Sequence, residues 1–347
     1  MLKIGILGCG KITEVRHAPE YTENPNCRID AWYDAVPGRA EALAEKFGGK
    51  VMKSAEELIA GDLDAISVCV ANVYHADLTI QALKAGKHVL CEKPMATTLA
   101  ECEAMVAAAR ESGKHLMIGH NQRYAPAHQK AREMIEAGEI GDVLTFLTTF
   151  GHSGPEIWTG TANSWFFDKN KAVLGALADL GIHKADLIHY LTGDEIIESS
   201  AFIGTLDKKA SDGQPVSVDD NAVCVMRLKK GGMGLLRASW TFYGQEDNST
   251  RIYGTKGVLR AYDDPRQSLI LERRDGTIER FELDHITTNE EQTAGCRRST
   301  GVIDAFVESI LTGKPSLAEG SEAIKAMRAI FAAARSAKEG RAIRVDE

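Results

Sequence analysis

The chain opens with Lys3-Ile-Gly-Ile-Leu-Gly-Cys-Gly10, an apolar run that stops at a glycine turn. A short apolar run bounded by glycine and followed by a helix-competent segment reads as a buried strand feeding a helix. That context lifts Gly8-Cys9-Gly10 above the weak value of a stray G-x-G. The first glycine permits the tight turn, and the second lets the backbone approach a pyrophosphate. The helix N-terminus beyond offers free N–H groups and a positive dipole end to the anion. The third position, where glycine or alanine is usual, is Thr13, which predicts looser helix–strand packing or a different turn. Asp34 ends the next strand-like run, Arg28–Tyr33. A carboxylate there accepts hydrogen bonds from an adenosine ribose and repels a 2′-phosphate, which favours NAD over NADP. Arg39 behind it is a weak signal for NADP.

Outward from this turn, strand and helix patterns alternate through the first 120 residues. Strand-like runs fall at Ala65–Val70, Val89–Cys91 and Leu116–Gly119, with a short one at Val51-Met52. Helical stripes fall at Arg39–Phe47, Ala55–Ile59 after the Ser54 cap, Ala76–Ala85 and Leu99–Ser112, several closed by glycine. Repeated βα units with near-continuous apolar strands predict a doubly wound parallel sheet covered on both faces. The boundary of this dinucleotide-binding domain is expected near His120–Tyr124, giving domains 1–120 and 121–347.

The second half differs in texture. A helix is predicted at Pro126–Ala137 and a longer strand at Val143–Phe150. Strands follow at Ser199–Leu206, Ala222–Lys229, Gly234–Phe242, Thr250–Tyr253 with Val258–Ala261, and Ser268–Glu272 with Thr277–Leu283. Lys230-Gly231-Gly232 and Arg274-Asp275-Gly276 are hairpin turn signals. This half is therefore read as α+β with a mainly antiparallel open sheet. In Ala222–Leu228 both faces carry apolar residues, which predicts helices on one face and a second copy of the chain on the other. A homodimer or homotetramer through this sheet is expected. Two helices, Val302–Leu311 and Ser321–Lys338, are predicted near the end.

The 347 residues are 44% hydrophobic and 26% charged, with a net charge of −8. That suits a soluble globular chain of about two domains and argues against a broad nucleic-acid surface. No stretch approaches the ~18 apolar residues of a membrane span. Seven cysteines, including Cys296, form no C-x-x-C pair, so a reducing compartment, the cytoplasm, is expected.

Open α/β sheets bind ligands outside the carboxyl ends of their strands. Three strand ends here are unusually polar: Asn72 with His75, Glu92 with Lys93, and Asn121 with Arg123. Pro94 fixes the backbone after Lys93 and is a candidate cis proline. In Leu174–Gly193, LGALADLGIHKADLIHYLTG, Asp179 and His183 are four residues apart, which on a helix sets a carboxylate and an imidazole on one face. His189 falls on another face and no third ligand is evident, so no metal is expected. His152, Trp165 and Tyr243 are candidate substrate contacts, a flat face and hydrogen-bond partners for a cyclic polyol or sugar.

The chain resembles the glucose-fructose oxidoreductase / inositol dehydrogenase / rhizopine catabolism (Gfo/Idh/MocA) family over nearly its whole length. The carriers are GILGCGKI, the Asp34 region with Arg39-Ala40, ANVYHADLTIQALKAGKHVLCEKP, GHNQRYAPAHQKAREMIEAGEIG and GALADLGIHKADLIHYLTG. The resemblance implies a Rossmann domain and a catalytic group of Lys93, Asp179 and His183. It also implies that Lys11, Ile12, Asp34, Asn72, His75, Glu92 and Arg123 line the cofactor. Many relatives carry Trp-Arg before the Asp/His helix, near the nicotinamide; here Trp165 is followed by Phe166. The segment Asp168–Lys171 also departs from the usual glycine-rich approach.

The expected chemistry is hydride transfer from a hydroxyl-bearing carbon to NAD, with His183 taking the hydroxyl proton. An unperturbed imidazole titrates near ~6.5, which suits a base at neutral pH. Asp179 would orient the ring, and Lys93 would polarise the reacting oxygen. Two other readings keep the fold. One is a glycosidase that retains NAD and oxidises its sugar transiently, recognised by glycoside cleavage without net NADH. The other is a non-enzymatic sugar or nucleotide sensor, against which an intact Lys93, Asp179 and His183 set argues.

Overall fold

The computed structural model describes residues 1–162, 164–285 and 299–347; Cys296 lies outside them. The chain divides into two compact units, one built on Met1–Asn121 and one beginning at Gln122.

In the first unit, strands β1 (Leu2–Leu7), β2 (Cys27–Tyr33), β3 (Lys50–Val51), β4 (Ala65–Val68), β5 (His88–Cys91) and β6 (Leu116–Ile118) form a six-stranded sheet in the order β3-β2-β1-β4-β5-β6. All its pairings are parallel. Ile4, Ile6, Ile66, Val68, Val89 and Leu90 are fully buried, as expected for strands covered on both faces. Helix ends follow local chemistry. Ser54 accepts the Glu57 N–H at 3.2 Å, and Thr98 and Glu101 form a reciprocal capping box closed at the far end by Gly113. The helix Val302–Thr312 and its flanks return to this unit. Asn24 donates to Asp304 at 2.8 Å, the Thr300 N–H donates to Glu20 at 3.0 Å, and the Ile118 N–H donates to the Ala318 carbonyl at 2.9 Å.

In the second unit, β7 (Val143–Gly151), β8 (Ile196–Gly204), β9 (Asn221–Leu228), β10 (Met233–Ser239), β11 (Thr250–Gly254), β12 (Gly257–Asp264), β13 (Gln267–Arg273), β14 (Ile278–Phe281) and β15 (Ile343–Arg344) form a nine-stranded sheet. Its order is β14-β13-β12-β11-β7-β10-β9-β8-β15, and β7 with β10 is its parallel pair. On β9, Ala222, Cys224, Met226 and Leu228 are buried while Val223 and Val225 are exposed, so one sheet face is covered. The cover includes the helix Ile182–Thr192, buried from Ile182 to Leu191, and the C-terminal helix, where Ser336 accepts the Ala201 N–H at 3.0 Å. The stretch before the Asp/His helix has no clear hydrophobic period, and it folds into the short turns Pro155–Thr159, Trp165–Phe167 and Lys169–Ala172. The six described cysteines are free and buried.

Lys184 is fully buried on the helix Ile182–Thr192. Its Nζ donates to the Asn248 carbonyl at 2.9 Å and to the Thr250 hydroxyl at 3.3 Å. Burial pushes its pKa down to about 7, against the pull of Asp247 and Glu246. Between that value and the ordinary 10.5 the unfolded chain binds more protons, so this residue makes the fold gain stability as pH rises. Its penalty is complete below the folded value. Thermal melts of Lys184→Met should therefore show a Tm difference from the unmodified protein that grows in favour of Met as pH falls from about 9.5 to about 6. A pH-independent difference would contradict the buried-amine account.

Candidate active site

The register of the first unit sets its polar strand ends side by side. Leu7 pairs with Val68 and Val68 with Cys91, so Gly8, Cys69 and Glu92 follow three adjacent strands. Gly8 has φ +95°, and a Cβ there would lie 2.3 Å from the Cys69 carbonyl oxygen. Gly10 has nothing within 4 Å of a built Cβ, which leaves an open backbone cradle of the kind a pyrophosphate occupies. Thr13 is fully buried and its hydroxyl donates to the Gly8 carbonyl at 2.7 Å. The helix is π-wound over Thr13–His17. Thr13 thus ties the start of this helix to the glycine loop.

Asp34 is half-buried, and its two oxygens accept the N–H groups of Cys9 and Val36, each at 2.7 Å. Lys11 is exposed beside Glu14, Ile12 is half-buried, and Arg39 is exposed at the start of its helix. Asn72 is buried at the turn after β4. The ring nitrogens of buried His75 face the carbonyls of Pro94 at 2.8 Å and Val70 at 3.1 Å, and burial lowers its pKa. Its ring thus braces the Lys93–Pro94 turn, whose peptide bond is cis. Lys93 is half-buried, and its N–H donates to the Glu92 carboxylate at 3.2 Å.

His17 does not stand out in the sequence. It is buried, with Nε2 2.8 Å from Glu92 Oε1 and Nδ1 3.5 Å from Cys69 Sγ. Burial opposes its charge, but Cys69 and Glu92 outweigh that and raise its pKa well above the ordinary value. Burial pushes Glu92 up, and the His17 hydrogen bond and charge more than reverse this, holding it below the usual carboxylate value.

In the second unit Asp179 and His183 are 5% and 7% exposed. The winding over Leu177–Gly181 is π rather than the α-helical turn expected between them, a feature frequent at functional sites. Asp219 accepts the N–H groups of Gly175 at 2.7 Å and Leu177 at 2.8 Å and so anchors the start of this segment. The indole of Trp240, fully buried, donates to Asp179 Oδ2 at 3.0 Å. Phe150 contacts both His183, with centroids 5.7 Å apart, and His152, at 5.9 Å. Trp165 stacks on Phe166 at 4.0 Å, and Phe166 meets Trp240 edge-on. Within this unit His152 and His183 are thus linked through Phe150, and Trp165 and Asp179 through Phe166 and Trp240.

Tyr243 is exposed, its hydroxyl donates to Asp207, and Lys208 lies 4.9 Å over its ring. Arg123 is buried and grips Asp186 with two hydrogen bonds, 2.7 and 2.6 Å, so its guanidinium braces the helix Ile182–Thr192. His189 accepts the Ile196 N–H at 3.0 Å. Among the described residues no group of three His, Cys, Asp or Glu is placed to hold a metal ion, and no helix is long and apolar enough to cross a membrane.

Two family models match the chain: the oxidoreductase family, NAD-binding Rossmann fold, over residues 2–120, and the GFO/IDH/MocA C-terminal domain over residues 128–260. The chain belongs to the Gfo/Idh/MocA oxidoreductase family. Inositol 2-dehydrogenase of Rhizobium meliloti is 27% identical over 99% of both chains. D-glucoside 3-dehydrogenase of Escherichia coli is 30% identical over 72% of this chain and 74% of its own length. The crystal structure of an oxidoreductase domain protein from Kribbella flavida superposes with a TM-score of 0.87 at 27% identity, over 100% of this chain and 99% of that one. The resemblance carried by the strand-end and Asp/His motifs is therefore correct, and so is the two-sheet architecture.

His17 and Trp240 escaped sequence reading for different reasons. The histidine has a usable signal, since it follows Thr13 by one π turn in the helix that leaves the glycine loop. The tryptophan is separated from Asp179 by more of the chain than any local pattern spans. The cradle gives a direct test. Gly10→Ala is expected to leave Tm nearly unchanged while weakening NAD binding at least about tenfold by calorimetry, because a Cβ there meets a ligand and not the protein. Gly8→Ala should lower Tm as well, from its left-handed φ and its clash with Cys69.

Proposed function

We propose that the chain is an NAD-dependent dehydrogenase that oxidises a hydroxyl-bearing ring carbon of a cyclic polyol or sugar, an inositol, hexose or glycoside. The observation that carries the reading is the nearly complete burial of an acid–base pair, Asp179 and His183, on a π-wound turn. Burying a carboxylate costs stability unless it is hydrogen-bonded, and such pairs cluster at sites that use them. Relatives named for inositol and glucoside dehydrogenation support the substrate class.

His183 removes the hydroxyl proton, with Phe150 fixing its ring. Asp179 stabilises the imidazolium that forms, and the Trp240 N–H holds that carboxylate in one orientation. Lys93 donates to the reacting oxygen and stabilises its developing negative charge. The nicotinamide of bound NAD supplies the hydride acceptor. Gly8 and Gly10 receive the pyrophosphate and Asp34 the adenosine ribose, with Lys11, Ile12, Asn72, Glu92 and Trp165 as further cofactor contacts. Asp34 at the end of β2 is the reason to prefer NAD to NADP. The first unit, residues 1–121 with the returning helix Val302–Thr312, then serves the cofactor, and the second unit the substrate and the partner copy.

A screen of inositols, hexoses and glycosides for NADH formation tests the reading; no NADH from any of them would sink it. On the substrate found, Lys93→Ala and His183→Ala should each lower kcat by about 100-fold or more. Trp240→Phe should lower kcat about tenfold with KM within about twofold, since only the orientation of Asp179 is lost.

We also propose that two copies pair through the open face of the nine-stranded sheet. Leu147, Leu235 and Val225 lie in register across β7, β10 and β9, and Phe202 opposes Val223. Phe202 is 85% and Val225 53% exposed, a contiguous apolar surface of the kind that marks an interface. Light scattering at micromolar concentration should give at least a dimer, and Val225→Glu should shift it to monomer; a monomeric unmodified protein would refute the interface.

A further inference from the structure

In the second unit a chain of aromatic rings runs outward from the buried carboxylate. Trp240, bonded to Asp179, is met edge-on by Phe166 at 6.4 Å and by Phe167 at 5.8 Å. Phe166 carries Trp165 stacked at 4.0 Å and 22°, and on its edge Trp158 at 5.9 Å and 71°. Ile157, next to Trp158 on the same short turn, is 66% exposed. Trp158 and Trp165 are themselves half-exposed. These residues come from the short turns Pro155–Thr159 and Trp165–Phe167. A single indole suffices for the C–H face of one hexose ring. This surface continues past it with a second indole and an isoleucine, more apolar area than a bare polyol can cover.

The polar groups beside it are not arranged for an anion. Lys208 donates to the Ser153 carbonyl at 2.6 Å and to Glu156, so its charge is already matched. The other oxygen of Glu156 is buried without a hydrogen-bond partner. The hydroxyl of Tyr243 is engaged by Asp207. Lys208, Glu156 and Tyr243 thus offer no unmatched positive charge to a substituent lying along Trp158.

We propose that Ile157, Trp158 and Trp165 form a subsite for an apolar aglycone: the sugar or polyol oxidised at Asp179 and His183 carries an aryl or similarly flat substituent that stacks on Trp158. This rests on the dehydrogenase reading above and narrows its substrate class. Sugar phosphates are disfavoured by the same geometry, and free hexoses and inositols leave the outer surface wet.

The experiment compares phenyl with methyl derivatives, glycosides of hexoses and ethers of inositols, as matched pairs. NADH formation gives kcat/KM, and calorimetry in the presence of NAD gives binding. The phenyl member should exceed the methyl member at least about fivefold in both, the size expected for one well-placed aromatic contact with its buried area. Trp158→Ala should abolish that ratio while changing kcat/KM for the methyl member less than about twofold. Ile157→Ser, at an exposed position, should reduce the ratio in part. Equal values for the two members, or equal losses for both in Trp158→Ala, overturn the subsite. The two proposals fail separately. Phenyl-selective binding without NADH keeps the subsite and removes the hydride-transfer reading, whereas turnover without phenyl preference does the reverse.

Discussion

The parallel pairing of β1 with β4, and of β4 with β5, is the constraint on which the cofactor edge depends. Leu7 opposite Val68 and Val68 opposite Cys91 bring three strands to a common finish line. Side chains alternate along a strand, so a slip of one residue would exchange the residues packed against the two covered faces and set Gly8, Cys69 and Glu92 out of line. The strands are buried on both faces, which makes such a slip prohibitively unfavourable. The glycine loop exploits that rigidity: a backbone conformation open only to glycine is pressed against the Cys69 carbonyl, and Thr13 ties it from beneath.

Buried polar groups do a second kind of positioning. Glu92 is held by His17, Arg123 by Asp186, Asp179 by Trp240, and the start of the Asp/His segment by Asp219. Each pair crosses from one element to another, and each would be costly if one member were removed, because the survivor would be stranded away from water. They are expensive ways to stabilise a fold and effective ways to hold a specific geometry. Lys184 belongs to the same class with a weaker justification: an amine in the core whose hydrogen bonds go to a carbonyl and a hydroxyl.

Much of this was legible from one sequence, where local chemistry decides. Arg39–Phe47 and Leu99–Ser112 are found at the limits their stripes and caps indicate. The strand ends that carry Asn72 and Lys93 were readable because polar residues interrupt apolar runs there. The stretch 152–172 was illegible. Its short turns have no period, and their shape comes from rings packing on Trp240, about which nothing nearby in sequence speaks. The π winding at Leu177–Gly181 was equally hidden, since a spacing of four fits an α-helix as well. Arg123 and His75 follow strand ends, and their side chains bond neighbouring structure, a contact that residue type alone does not reveal.

The return of Val302–Thr312 to the first unit bears on how the protein is made. A ribosome releases the glycine loop, all six parallel strands and their helices long before it reaches Thr300 and Ala318. Until then Glu20 lacks its partners and the Ile118 N–H at the sheet's edge has no acceptor. The nascent first unit must therefore wait, incomplete, while the strands of the nine-stranded sheet from β7 to β14 are synthesised.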